Sequence, residues 1–247
     1  MGTALISSFI SGAIAIISIA ISTYNQNRIN KLNESLDVRR KHQYYIEPLI
    51  RSASDLQSRI YNILELGFIE EFYHNGNKRQ QDYVINNTVF LFSQFFAWTE
   101  AARIDIQYLS LEKNKKMREF IRLQNNINSL IQTDVFGQYF MFFIGEQRAI
   151  AEKMLISTDT GFDCIGYGSF TKENCFINEP FFLDLNNEVI NMTRDIGIYK
   201  ERLIRIQHAL IDLINFLDPG MIRFDGKNME KYNPDDSYQG KLLYVSI

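Results

Sequence analysis

The densest polar string in the chain is GEQRAIAEK, Gly145 to Lys153, which follows the aromatic run FGQYFMFFIG. On a helix that buries Phe143, Ile150 and Met154, Gln147 falls on the same stripe, while Arg148 and Glu152 stand four apart at its flank, the spacing of an ion pair. A buried glutamine must find hydrogen-bond partners. Two readings follow. In the functional one, Glu146, Gln147 and Arg148, with Glu152 at the edge, line a polar pocket that holds an anionic ligand or a partner segment. In the structural one they form a satisfied network between helices.

His208 and Asp212 are also four apart and share a helix face, an arrangement that can orient an imidazole as a general base. Against the apolar stripe Leu203, Ile206, Leu210 and Leu213, His208 lies opposite the seam, which suits a surface or secondary contact. No GxSxG elbow or HExxH string accompanies it. Cys164 beside Asp163 sits in a glycine-rich stretch and reads as an inert, buried thiol rather than a nucleophile. The glycines at 161, 166 and 168 follow no strand and precede no Lys-Ser/Thr pair, so neither a phosphate loop nor a dinucleotide fingerprint is supported. Two cysteines and three histidines make a zinc site unexpected, and the carboxylate-histidine spacings of di-metal bundles are missing. No cofactor is expected, and binding is favoured over catalysis.

The elements that must position these residues follow from composition and periodicity. The chain has 247 residues, 46% of them hydrophobic, with 19 Phe and 13 Tyr but only 4 Pro, which favours helices around a bulky core. A net charge of −3 without a long basic run gives no positive face for nucleic acid. From Ala4 to Ile21 the chain carries no charge. As a helix this stretch would be ~27 Å long, enough to cross a hydrocarbon core. Met1 to Thr3 lack the basic side chains of a secretory signal, so an uncleaved anchor is predicted at residues 1–22, touching lipid through residues 4–21. Arg28, Lys31, Arg39, Arg40 and Lys41 follow it, which places the remainder on the cytoplasmic side. Ser8, Gly12 and Ala15 share one face of the span, a pattern that lets two copies pack closely.

Residues 23–47 read as a polar stalk or linker helix. Residues 48–220 read as the cytoplasmic bundle, and residues 221–247 as a polar tail in which LLYV is the one strand-like stretch. Inside the bundle, Leu49, Ala53, Leu56, Ile60 and Ile63 mark a first helix whose polar face holds Arg51, Asp55 and Arg59. A second is predicted from about Gln80 to Leu109, a third from about Lys113 to Gln132, a fourth from about Phe136 to Leu155 and a long fifth from about Phe181 to Leu217. Asp218-Pro219-Gly220 ends the last of them, and residues 157–178 read as an irregular loop. The fold class is all-α, an antiparallel bundle of about five long helices on an N-terminal single-pass transmembrane helix.

The strings EPLIRSASDLQSRIYNIL, FFAWTEAARIDIQYL, GEQRAIAEKM, DCIGY and RIQHALIDLINFLDP resemble those of a group of uncharacterised bacterial helical proteins, and they cover most of the chain after the stalk. That resemblance implies a bacterial, largely helical protein and no particular chemistry. With the anchor, it implies the bacterial inner membrane, the C-terminal part facing the cytoplasm. The leading functional expectation is a membrane-anchored helical binding or assembly module without catalytic activity, acting on an unidentified protein or small molecule. Two alternatives stay open. One is a stress or anti-phage defence effector that oligomerises through the span and perturbs the membrane; the other, weaker, is a membrane-bound hydrolase using Glu146, Arg148 and His208. Replacing Ser8 and Gly12 together by Leu is expected to reduce the oligomer size of the detergent-solubilised protein in light scattering. An unchanged size would contradict association through that face.

Overall fold

The computed structural model describes residues 2–107, 115–159, 161–172, 179–223 and 229–234; the side chains of residues 2–11, 13–15, 34–35, 37–43 and 105–107 also lie outside the description. The described residues are mostly helical and divide into two units, Met1–Tyr44 and Tyr45–Ile247. One helix, α1 (Gly2–Leu64), supplies the backbone of the first unit and enters the second. Pro48 lies within it, and having no N–H it cannot donate to the carbonyl four residues before, at the boundary between the units.

The expected transmembrane span falls on the first part of α1. Its backbone is helical, but most of its side chains from Ala4 to Ala15 lie outside the described residues. Among the described residues no helix is long and apolar enough to cross a membrane. The span therefore rests on the sequence alone.

In the second unit α2 (Lys78–Gln107) is the central helix. Its predicted stripe, Val84, Thr88, Phe92, Phe95, Trp98 and Ala102, is buried, and Val89, Phe90, Phe96, Ala97 and Ala101 are buried as well, so most of its circumference is covered. A helix apolar nearly all round needs neighbours on every side. They include α4 (Ile144–Met154) and α6 (Pro180–Arg194); the α1 seam Leu49, Ala53, Leu56, Ile60 and Ile63 belongs to the same core, and α3 (Lys115–Gln132) packs on α7 (Lys200–Leu217). The short helix α5 (Tyr167–Lys172) closes against α2 through Tyr167 and Phe170, whose rings meet Phe90.

Three expectations need correction. The predicted loop at 157–178 contains an antiparallel hairpin, β1 (Leu155–Thr158) and β2 (Gly161–Cys164), followed by α5. Strands of four residues are too short to display a period of two. The long fifth helix is two helices, α6 and α7, separated by a 3₁₀ turn at Ile196–Ile198. Asp195 makes the break, because its side chain accepts the Gly197 N–H at 2.9 Å and holds the chain out of helical geometry. Arg59 leaves the polar face assigned to it. It is buried, its Nη2 donates to Asn87 Oδ1 at 2.6 Å, and its guanidinium lies 4.0 Å from the centre of the Phe68 ring. LLYV lies outside the described residues.

The fourth helix starts at Ile144 rather than near Phe136 because the segment before it is held in another shape. Gly137 and Phe140 both have positive φ, 82° and 53°. The Phe140 N–H donates to Glu188 Oε2 at 2.6 Å, and its ring packs 4.6 Å from that of Phe92. Arg202, the largest fully buried side chain, fixes the same turn from α7. Its Nη1 donates to the carbonyls of Leu130 and Ile131, at 2.7 and 3.0 Å, and its Nη2 to those of Thr133 and Gly137, at 2.8 and 2.7 Å. The first two belong to the last turn of α3, where carbonyls lack helical partners and the helix dipole favours a cation. Burial lowers the pKa of the guanidinium, and the Glu188 carboxylate opposes that. Arg202→Met is expected to cost about 3–5 kcal/mol, since four carbonyls lose their donor. The midpoint of thermal unfolding should fall by about 10 °C, and Arg202→Lys should recover little of it. A midpoint within about 2 °C of the natural protein would contradict this role.

Candidate functional site

Three helix faces meet at one cleft. α2 contributes Phe96, Thr99, Glu100 and Arg103; α3 contributes Ile121, Gln124, Asn125, Asn128, Ser129 and Gln132; α4 contributes Ile144, Gln147 and Arg148. In each helix these positions recur three and four residues after an earlier one, the i, i+3, i+4 pattern that places them on a single face. The cavity has a volume of about 510 Å³, within the range of small-molecule sites. Phe96, Ile121 and Ile144 give it apolar walls, and the rest of its lining is polar.

Its charges are organised around Glu100, whose side chain is 6% exposed. Arg103 takes both carboxylate oxygens, Nη2 to Oε1 at 2.5 Å and Nε to Oε2 at 2.7 Å. The hydrogen bond to Glu100 raises the pKa of the Arg103 guanidinium. Arg148 approaches the same carboxylate with its Nε 3.6 Å from Oε2, too long for a hydrogen bond, and its side chain is 44% exposed. Glu100 is the one carboxylate in the lining, against the two guanidinium groups Arg103 and Arg148, and the Glu152 carboxylate outside the lining also acts on Arg103.

Hydrogen-bond accounting marks the same place. The Gln147 side chain donates through Nε2 to two carbonyls, Phe142 O at 2.8 Å and Asn128 O at 3.3 Å. Those two bonds use both amide hydrogens and fix which way the group faces. Its Oε1 is then buried with no donor among the described residues, as Gln124 Nε2 is buried with no acceptor and Thr99 Oγ1 with neither. Thr88 and Ser93, earlier on α2, satisfy their hydroxyls on the carbonyls four residues before, at 2.6 and 2.8 Å. Thr99 makes no such bond. Buried polar atoms of this kind are rare and costly. Three of the six such atoms among the described residues belong to side chains that line this cavity, packed into its wall rather than facing its open space; the others are Arg59 Nη1, Tyr199 Oη and Arg202 Nε.

The cleft unites Gln147 and Arg148 but not the other residues singled out from the sequence. Glu146 caps α4, its Oε2 accepting the Phe143 N–H at 2.7 Å. Glu152 is exposed, and its charge acts weakly on Arg103. His208 and Asp212 hold the segment 229–234 instead of forming a dyad: His208 Nε2 bonds the Tyr232 carbonyl at 2.8 Å, and Asp212 pairs with Lys231 at 2.6 Å. Gln207 completes that attachment through the Glu230 carbonyl and the Tyr232 N–H. Gly12 is exposed, and the side chains of Ser8 and Ala15 lie outside the described residues. Among the described residues no group of three His, Cys, Asp or Glu side chains could hold a metal ion.

Thr99, Glu100, Arg103 and Gln124 were not anticipated. The available signal was a second stripe: polar residues at three and four spacing beside the apolar seams of α2 and α3, dense in amides at Gln124, Asn125 and Asn128. No family model matches the chain, no curated protein is similar to it in sequence, and no solved structure is similar to it in fold.

Cys164 stands apart from the cleft, on β2. Burial, and less strongly the Asp163 carboxylate, push its thiol up to about 12. The reactive thiolate is therefore scarce at pH 8. Iodoacetamide at pH 8 is expected to leave Cys164 unmodified in the folded protein and to alkylate it after denaturation, as read by peptide mass mapping. Complete alkylation in the folded state would contradict its placement.

Proposed function

We propose that this protein is a membrane-anchored helical binding module whose ligand seat is the cleft between α2, α3 and α4. The observation that carries the reading is a cavity of about 510 Å³ between three helices, lined mostly by polar side chains and holding the Arg148 guanidinium half-exposed beside the buried Glu100 carboxylate that Arg103 pairs. The groups that line the cleft, amides, hydroxyls and guanidinium, suit holding a molecule better than moving its protons, and the cleft's carboxylate is bound by Arg103. This favours binding over hydrolysis.

The anchor is supported by the uncharged stretch from Ala4 to Ile21. At its described end, Ile16, Ile17, Ile19 and Ile21 are all exposed, by 56 to 69%. At 100° per residue they point to several sides of the helix, as lipid contact requires and an amphipathic seam does not. The basic residues after it favour the bundle in the cytoplasm of a bacterium, the anchor in the inner membrane.

Native mass spectrometry of the full-length protein, released from detergent after purification from its own membranes, tests the reading. A reproducible small mass per chain is expected, and it should be lost from the Thr99→Val, Gln124→Leu double variant. A discrete oligomer of bare chains would overturn the reading in favour of an effector that acts through the span. A bare monomer that no member of a metabolite library stabilises against heat would also overturn it.

A further inference from the structure

We propose that the face of α7 and α1 around Gln207 is a peptide-docking site, filled here by the protein's own segment 229–234, and that it takes in trans an extended segment of a partner protein with the same chemistry. That chemistry is an unbranched apolar residue and an aromatic three positions apart, with a lysine just before the aromatic. The face shares no lining residue with the cleft between α2, α3 and α4. Its seated segment shows how such a chain is read. Gln207 is fully buried, and its side-chain amide pairs with the segment as a neighbouring strand would: Nε2 donates to the Glu230 carbonyl at 2.8 Å, and Oε1 accepts the Tyr232 N–H at 3.0 Å. His208 Nε2 donates to the Tyr232 carbonyl at 2.8 Å. Among the described residues no bond between main-chain groups joins 229–234 to the rest, so its backbone is held by side chains alone. None of these contacts requires the segment to be covalently attached.

Selectivity comes from the side chains. Met229 and Tyr232 are buried, and the other four residues of the segment are exposed. The Met229 sulfur lies 3.6 Å from Gln57 Nε2 on α1, and Gln57 Oε1 takes a hydrogen of Gln207 Nε2 at 3.4 Å, so both helices set the reading amide. The Lys200 ammonium stands 5.5 Å from the centre of the Tyr232 ring, and Asp212 at the rim pairs with Lys231 at 2.6 Å. The occupant from outside is another protein rather than a second copy, because Arg223 is tied to Asp218 and Glu47 of its own chain. Only residues 224–228 separate it from Met229, a tether of about 20 Å at most, which keeps the tail on its own copy. The tail is then an internal competitor, present at an effective concentration near ~1 mM, that an outside segment must displace.

The probe is the peptide MEKYNP, residues 229–234, amidated and carrying a fluorophore at its amino end. Its fluorescence anisotropy with full-length protein in detergent should show binding to a Met229→Ser, Tyr232→Ser chain, whose own tail is unseated, and binding about tenfold or more weaker to the natural chain. The Met229→Ser, Tyr232→Ser peptide should not bind. Asp212→Lys, added to the unseated chain at an exposed position, should weaken the natural peptide about threefold, and the Lys231→Asp peptide should regain that loss. Hydrogen exchange of the natural chain gives the answer should the unseated chain fail to fold: excess isotope-labelled peptide is expected to raise deuterium uptake over residues 229–234 as the tail is displaced. Equal binding of the natural and Ser peptides, equal binding to the two chains, a charge swap without effect, or unchanged uptake would overturn the proposal. A dimer of the natural chain that Tyr232→Ser dissolves would also overturn it, assigning the seat to a second copy.

Discussion

A guanidinium taken out of water must find hydrogen bonds in the protein, and the four that Arg202 makes through Nη1 and Nη2, its Nε being left without one among the described residues, organise this fold. Its four acceptors are all main-chain carbonyls, from the end of α3 and the turn beyond it. Main-chain acceptors cannot turn away as side chains can, so the end of α3, the turn and α7 are fixed together. The constraint reaches the cleft in a few steps. Ile131 O accepts from Arg202 and also from the Phe142 N–H, which holds Phe142 beside α3. Phe142 O then takes one hydrogen of the Gln147 amide, and Asn128 O on α3 takes the other. The direction in which Gln147 Oε1 faces is thus a consequence of where Arg202 binds.

The buried arginines Arg202 and Arg59 are held in contrasting ways, and each keeps one nitrogen, Arg202 Nε and Arg59 Nη1, without a partner among the described residues. Arg202 uses carbonyls and a helix end, whereas Arg59 lies over the Phe68 and Tyr83 rings with one amide bond to Asn87. Burial lowers the pKa of both guanidinium groups. In the cleft the balance differs: Glu100 is saturated by Arg103, and the second guanidinium, Arg148, is left half-exposed at the rim. That asymmetry separates a structural cation from one available to a ligand.

The apolar seams were legible because they repeat at three and four over many residues. The buried faces of α1, α3 and α7 include the positions that repeat marks, whereas α2 is buried well beyond its stripe. The break between α6 and α7 was hidden for the same reason, since Met192, Ile196, Tyr199 and Leu203 stay in phase across it while one Asp195 side chain interrupts the helix. Phe140 illustrates another limit, because its positive φ depends on Glu188 and Arg202, 48 and more residues away in sequence. Of the site, Gln147 and Arg148 were visible as polar residues beside a core stripe. Glu100 was not, because on α2 it reads as one charge beside aromatic positions, and its partner Arg148 comes from another helix. Ion pairs between distant segments leave no mark in local spacing.

The central claim is that the cleft between α2, α3 and α4 is a ligand seat, with Gln147 fixed in its wall and the Arg148 guanidinium at its rim. An experimental high-resolution structure of the full-length protein, purified from its own membranes, tests it most directly. The account predicts Gln147 Nε2 on the Phe142 and Asn128 carbonyls and density for a small molecule in the cleft beside Arg148. A closed, empty cleft in which Arg148 binds Glu100 directly would contradict it.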